Sequence, residues 1–382
     1  MTGRSLIYLD NNATTRPHPD VVELMSRHWR DSFANPGSRH LPGRRARQVL
    51  EQARESMAAI LGADSDEVIF TSGGTESNNM ALLGLARGAP GRIALTAGEH
   101  PSVMETCRFL EGQGWGLQIL PVDEEGLLRP PAKDQTWLAA DVRLAAVILA
   151  HNETGVIQDL GELAGECRSR GTPLHVDAVQ AVGKIPVSFR LLGASSLALG
   201  AHKFHGPRGV GALLLRRGVK LAATAFGGHQ ESGKRPGTEA VPLIAGMARA
   251  LELFAAEEER RTIRLCGLRD RLEQGLVDLC RPVVINGSRQ RRLPNTLNVA
   301  FPGIDGEALL VALDLAGIAC SLGSTCASGS AEPAPVLIAM NRSPDVLRSS
   351  IRFSVGIDNT DDEIDQAVRI IARAVNQMRN FR

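Results

Sequence analysis

The 382-residue sequence carries almost no net charge, with 43 basic against 42 acidic residues and a formal charge of +1. That leaves no electrostatic footprint for a nucleic acid or an anionic membrane surface. Long apolar runs are absent too. The clearest one, residues 144–150, falls far short of the about 20 residues a membrane-crossing helix needs. The opening MTGRSLIYLDNN lacks the apolar stretch of a secretory signal. These absences lead to the expectation of a soluble, cytoplasmic protein with no membrane partner. Cysteine is sparse: six residues, with no CxxC pair and no Cys/His zinc spacing. A disulfide framework or a resident metal is therefore not expected, and the thiols are expected to be reduced and mostly buried. There are no repeats and no low-complexity tracts.

What is present is apolar residue in quantity, 43% of the chain, enough for a large core. Length alone suggests two or three domains. Strand-like runs fall at 67–70, 92–95, 117–121, 144–149, 173–176, 195–199 and 210–215. Helical patterns lie between several of them, notably 43–61, stopped by Gly62, and 159–171, stopped by Gly171. This alternation predicts an α/β fold whose mainly parallel sheet is covered on both faces. After about residue 240 the pattern changes. A charged, leucine-rich helical stretch covers 241–279, either unbroken or interrupted near 258–262. A strand (296–301), a helix (306–317), a Gly/Ser-rich segment (321–330), a strand (349–355) and a last helix from about 361 predict a smaller α+β domain.

Seven segments hold residues suited to chemistry, and each has a plain alternative. In TSGGTESNN (71–79), two glycines lead from a strand into a helix near Thr75, a cup for an anion or an ordinary junction. In LHVDAVQ (174–180), Asp177 closes a strand where open α/β sheets place ligands, to pair with a ring nitrogen or to cap a helix. Gln180 follows within reach of a ring oxygen. In LALGAHKFHGPRGVG (197–211), Lys203 sits in a glycine-rich loop after a strand, suited to a carbonyl-attacking amine or to solvent. His100, before Pro101, can stack on an aromatic group or serve structure. Asn152 follows a strand, as ligand or turn former. Cys326, in SLGSTCASGS, is a loop thiol or a nucleophile that must travel; at a pKa of ~8.5 only a few per cent is thiolate at neutral pH. Arg352 interrupts a strand, as a carboxylate clamp or a structural ion pair.

Together these segments, with YLDNNATT, GGHQESGKRPGT and PNTLNVAFPGIDGE, give the chain a resemblance to the group I cysteine desulfurases of the nitrogen-fixation and iron–sulfur-assembly type. These are class V aminotransferase-like, fold type I enzymes that use pyridoxal phosphate. The resemblance implies a fold type I large domain with a seven-stranded, mainly parallel sheet over 16–255, and a small domain of 1–15 with 256–382 that carries the cysteine loop. It implies that Lys203 bonds the cofactor covalently, Asp177 binds its pyridine nitrogen and Gln180 its phenolic oxygen. His100 would stack on the ring and move protons. The Gly74 backbone, Thr75 and His202 would hold the phosphate, and Thr238 would reach the phosphate of a neighbouring subunit in a homodimer. Asn152 would serve cofactor and substrate, and Arg352 the substrate carboxylate. Cys326 would take sulfur from L-cysteine as a persulfide, leaving L-alanine, and pass it to an acceptor such as an iron–sulfur scaffold. The metal expectation is limited to a transient iron–sulfur contact through Cys326.

Some positions depart from the family pattern. Gly200 stands where a hydroxyl residue usually serves the phosphate, Ser232 where an arginine is common, and the cysteine motif reads GSTCAS. A selenocysteine lyase, a C–S lyase or an aminotransferase-like paralogue are alternative readings, which a mobile thiol argues against. A non-catalytic sulfur-relay or binding subunit is another, against which stands the retention of Lys203, Asp177, His100, Arg352 and Cys326.

Overall fold

The computed structural model describes residues 6–322 and 333–380. Cys326 and most of the Gly/Ser-rich segment lie outside the described residues. In chain order the first half contains β1 (Ile7–Tyr8), α1 (Pro19–Asp31), α2 (Leu41–Leu61), β2 (Val68–Thr71), α3 (Gly74–Leu85), β3 (Arg92–Thr96), α4 (Pro101–Glu111), β4 (Gly116–Leu120), β5 (Val142–Ile148), α5 (Gly161–Arg170) and β6 (Leu174–Asp177). The remainder contains α6 (Phe189–Leu192), β7 (Ser196–Gly200), β8 (Gly211–Leu215), α7 (Val241–Leu279), β9 (Val284–Asn286), β10 (Thr296–Ala300), α8 (Gly306–Leu315), β11 (Ile318–Ala319), β12 (Ser321–Leu322), α9 (Pro335–Ala339), α10 (Pro344–Arg348), β13 (Ser350–Ser354) and α11 (Asp361–Asn380).

The seven predicted strands form one sheet in the order β2-β8-β7-β6-β5-β3-β4. Strands β4, β3, β5, β6 and β7 run parallel, and β8 is antiparallel to both of its neighbours. The strands are apolar almost without interruption because helices cover both faces, giving one core beneath α2, α5 and the first part of α7 and another beneath α3 and α4. Within these cores Leu50, Met57, Leu82 and Ile93 are fully buried, each stabilising by about 1.5–3 kcal/mol. The predicted stops act as expected: Gly62 and Gly171 close α2 and α5 in the left-handed conformation.

Two boundaries move in a way that matters. The sixth strand extends to Asp177, whose backbone pairs with Ile148 and Ala198. The carboxylate is thus fixed by the sheet itself. Residues 241–279 form one unbroken helix. No glycine or proline interrupts its charged middle, where Glu257 and Arg261 pair one turn apart. Its first part, to Phe254, packs on the large sheet, and Leu265–Leu276 pack with β10, β13, α8 and α11 in a separate apolar core that also takes Ile7 and Leu9. A four-stranded sheet, β12-β13-β10-β9, supports that second core. Helix α1 was not expected from the sequence; only Val21 and Met25 are buried along it, too thin a stripe to read. Among the described residues no helix is long and apolar enough to cross a membrane.

Candidate active site

The carboxyl ends of the parallel strands converge at one place, as in other open α/β sheets. Strand β6 ends on Asp177, which is buried. Its Oδ1 accepts from the Val179 N–H at 3.0 Å and its Oδ2 from Asn78 Nδ2 at 2.8 Å. The neighbouring β7 ends at Gly200 and passes into one 3-10 turn, Ala201–Lys203. That turn directs Lys203 Nζ to the backbone carbonyls of Asn12 and Ala13, at 2.8 and 2.9 Å. Burial, then the charge of Arg352, lowers the Lys203 amine from 10.5 to about 8. Among the described residues no carboxylate contacts this amine, so its proton is held by two carbonyls alone and is readily lost, leaving a nucleophile.

The anion cup lies beside the end of β7, where Gly200 approaches the Gly74 nitrogen. Strand β2 leads through Gly73 into α3, whose first amides have no carbonyl to bind within the helix. Gly74 is required by contact: a Cβ there would meet Val179 Cγ2 at 2.5 Å. Thr75 is exposed at the mouth. Glu76 occupies the first turn, and its carboxyl stays below the ordinary value. Burial works against this, but hydrogen bonds from Arg235, at 2.9 Å, and Ser72 prevail. Gly200 faces the same space, since a Cβ added there would lie 3.3 Å from the Gly74 nitrogen. His202 contacts Thr14 Oγ1 at 3.2 Å, and burial followed by Lys203 lowers it to about 4, so it is neutral.

His100 caps α4, accepting at Nδ1 from the Ser102 N–H at 3.1 Å, with Pro101 as the first helical residue as expected. Burial lowers its pKa. Arg352, on β13, donates to Glu153 and Asp10 at 2.7 Å each. Burial opposes its charge, yet these two carboxylates hold its pKa above the ordinary value. The ion-pair alternative therefore describes its present contacts. Among the described residues its Nε and the Glu153 Oε2 are buried without a partner. Asn152 donates to Glu153 at 2.6 Å. Gln180 donates to the Asn12 carbonyl at 2.9 Å. Thr238 is exposed.

The sequence reading missed the residues that tie the centre together. Asn12 accepts through its carbonyl from Lys203 and Gln180, and through its side chain from Lys184 at 2.7 Å. Lys184, buried and held well below 10.5 by that burial, also donates to Gln180 Oε1 at 2.5 Å. Glu99, buried and pushed up to about 8 by desolvation, accepts from the Ile148 N–H and from Thr96. The signal for Asn12 was in the sequence: a polar run, DNN, directly after an apolar pair.

These residues fit pyridoxal phosphate. A half-buried amine of lowered pKa stands for its aldehyde, a buried carboxylate for its ring nitrogen and a helix N terminus for its phosphate. Comparison with known proteins points the same way. The sequence profile of the aminotransferase class-V family matches residues 7–367. The chain belongs to the class-V aminotransferase family. It is 42% identical over 377 residues to a cysteine desulfurase of a Nostoc species, covering 98% of this chain and 94% of that protein. It is 40% identical, over the same shares of each chain, to the cysteine desulfurase NifS of Azotobacter vinelandii. A solved NifS-like protein superposes with a TM-score of 0.90 at 35% identity, covering 97% of this chain and all of the other. The expected α/β architecture, a seven-stranded mainly parallel sheet with a smaller antiparallel one, is thus the architecture of this class-V aminotransferase.

Proposed function

We propose that this class-V aminotransferase is a cysteine desulfurase in which Lys203 bonds pyridoxal phosphate. The observation that carries the reading is the pairing of Lys203 and Asp177 at the ends of adjacent parallel strands, in a chain matched over 98% of its length by cysteine desulfurases. The net reaction transfers sulfur. The carbon–sulfur bond of L-cysteine breaks, a sulfur–sulfur bond forms on Cys326, and the vacated β-carbon takes a proton to give L-alanine. Bound pyridoxal phosphate supplies an electrophilic carbon and an electron sink.

This chain's residues supply the rest. Asp177 keeps the ring nitrogen protonated. The Gly74 amide, Thr75 and His202 hold the phosphate, with Gly200 leaving its share to backbone or water. Gln180 meets the ring oxygen, exchanging the Asn12 carbonyl for it, while Lys184 steadies its amide. Lys203, with an amine titrating at about 8, carries protons to and from the substrate side. His100 stacks on the ring and passes protons. Asn152 and Arg352 take the substrate carboxylate, the guanidinium giving up part of its present pairing with Glu153 and Asp10.

The division into 16–255 and 1–15 with 256–382 is part of the proposal, supported by the separate apolar cores and by Ile7 and Leu9 joining the second. A cytoplasmic homodimer, with Thr238 contributed across the interface, and an iron–sulfur scaffold as acceptor complete it. The experiment is to incubate the holoenzyme with L-cysteine and a thiol reductant and measure alanine and sulfide. Equimolar products are expected. Cys326→Ser should abolish sulfide while keeping the cofactor's visible absorbance, and normal sulfide from that variant refutes the role of Cys326.

A further inference from the structure

A hydrogen-bonded chain runs behind the site through residues the proposed mechanism leaves unused. Asn78, on α3, lies between Asp177 and Ser102 on one side and His175, on β6, on the other. Its Nδ2 is 2.8 Å from both Asp177 Oδ2 and Ser102 Oγ, and its Oδ1 is 2.9 Å from His175 Nε2. His175 Nδ1 lies 2.9 Å from Ser196 Oγ. His175 and Ser196 are fully buried, and Asn78 is 1% exposed.

The direction of each bond follows from chemistry. A carboxylate presents only acceptors, so the amide must turn its NH2 toward Asp177. Its oxygen then faces His175, which must donate from Nε2. Burial lowers His175 to about 4, so it is neutral, and its Nδ1 accepts from the Ser196 hydroxyl. On the near side Ser102 Oγ accepts from Asn78 and gives its own proton to His100 Nδ1, 2.7 Å away. The Ser102 N–H also donates to that nitrogen. The proton of neutral His100 is therefore on Nε2. The charged or titratable groups around His100 are Asp177, Lys203, His151 and the preceding Glu99.

We infer that His175 and Asn78 are positioning residues, which fix the Asp177 carboxylate against the ring nitrogen and, through Ser102, hold His100 with its proton on Nε2. An asparagine amide has nearly the same shape in both orientations. Turned over, it would set its oxygen against Asp177; the carboxylate disfavours this, and a His175 that donates to the amide oxygen adds to that preference and holds the amide in place. The Asp177 half rests on the proposed cofactor site; the His100 half concerns the protein alone.

The test uses two readouts. In cofactor-free protein with 15N-labelled histidine, NMR should find His100 and His175 neutral at pH 7, each with Nε2 protonated and Nδ1 bare. A protonated Nδ1 on either overturns the inference. In holoenzyme reconstituted with ring-15N pyridoxal phosphate, the wild-type ring nitrogen should be protonated. In His175→Leu its resonance should move toward the neutral position and kcat should fall about tenfold, the upper scale of one neutral hydrogen bond, with KM changed less than twofold. His175→Gln, whose amide can donate from near the Nε2 position, should restore both. Should His175→Leu fail to fold, Asn78→Thr should give the same resonance shift. An unchanged resonance in the folded variant at saturating cofactor overturns the inference. If the wild type bonds no cofactor, the reading of the site fails and takes the Asp177 half with it, while the histidine spectra still decide the other half.

Discussion

Replacing Lys203 by methionine should make the cofactor-free protein more stable at neutral pH. The native lysine is charged there in a place that disfavours charge: burial and Arg352 lower its amine from 10.5 to about 8. At 1.36 kcal/mol per pKa unit the cost of the charged form is about 3 kcal/mol. Methionine keeps most of the stem's packing and removes the charge. Against that, Nζ donates to the carbonyls of Asn12 and Ala13. The Asn12 carbonyl keeps Gln180 as donor, so the loss falls mainly on Ala13, at about 1 kcal/mol. The net expectation is about 2 kcal/mol in favour of Lys203→Met below pH 8. The pH dependence has a defined sign. Between about 8 and 10.5 the unfolded lysine binds a proton that the folded one has lost, so wild-type stability rises relative to the variant through that window. Urea unfolding of both cofactor-free proteins from pH 7 to 10.5 measures the difference. A variant less stable at pH 7, or a difference that does not shrink with rising pH, refutes the reasoning.

Arg352→Gln should destabilise the fold by about 3 kcal/mol, because the buried Glu153 and the partly exposed Asp10 would lose their shared cation; thermal unfolding of the cofactor-free variant checks this. Gly200→Ser should slow cofactor release about tenfold, the scale of one charge-assisted hydrogen bond. The added Cβ, 3.3 Å from the Gly74 nitrogen, needs a shift of only a few tenths of an ångström. Ser232 holds a left-handed conformation at φ 57°, so Ser232→Gly should raise stability, by about 1 kcal/mol in chemical denaturation. Glu231→Gln should act oppositely, since the Glu231 carboxylate holds that loop to Arg54 and to the Phe70 N–H; a loss of about 1.5–3 kcal/mol is expected.

The sheet was legible because buried parallel strands read as apolar runs, and the residue just past such a run lies at the ligand-binding edge. Asp177, Lys203 and Thr75 were found that way. The supporting residues were not, for a physical reason. Asn78 is a polar residue within a helix and His175 one within a strand, and neither position advertises a partner. They meet because α3 packs behind β6 and β7, a long-range fact with no local pattern. Arg352 reads from the sequence as a clamp or a structural ion pair, and the partners that engage it, Asp10 and Glu153, lie more than 340 and about 200 residues away, where no local pattern points to them. Lys184 carries no local signal, because only folding brings Asn12 and Gln180 around its amine. The unbroken α7 was undecidable from its charge pattern, since what keeps it straight is an apolar core at each end.

The most direct measurement of the central claim is to reconstitute the protein with pyridoxal phosphate, reduce it with borohydride and map the labelled peptide by mass spectrometry. A pyridoxyl group on Lys203, in the AHKFHGPR segment, with none in Lys203→Ala, is the predicted result. Label on Lys184 or another lysine, or no label at all, would contradict it.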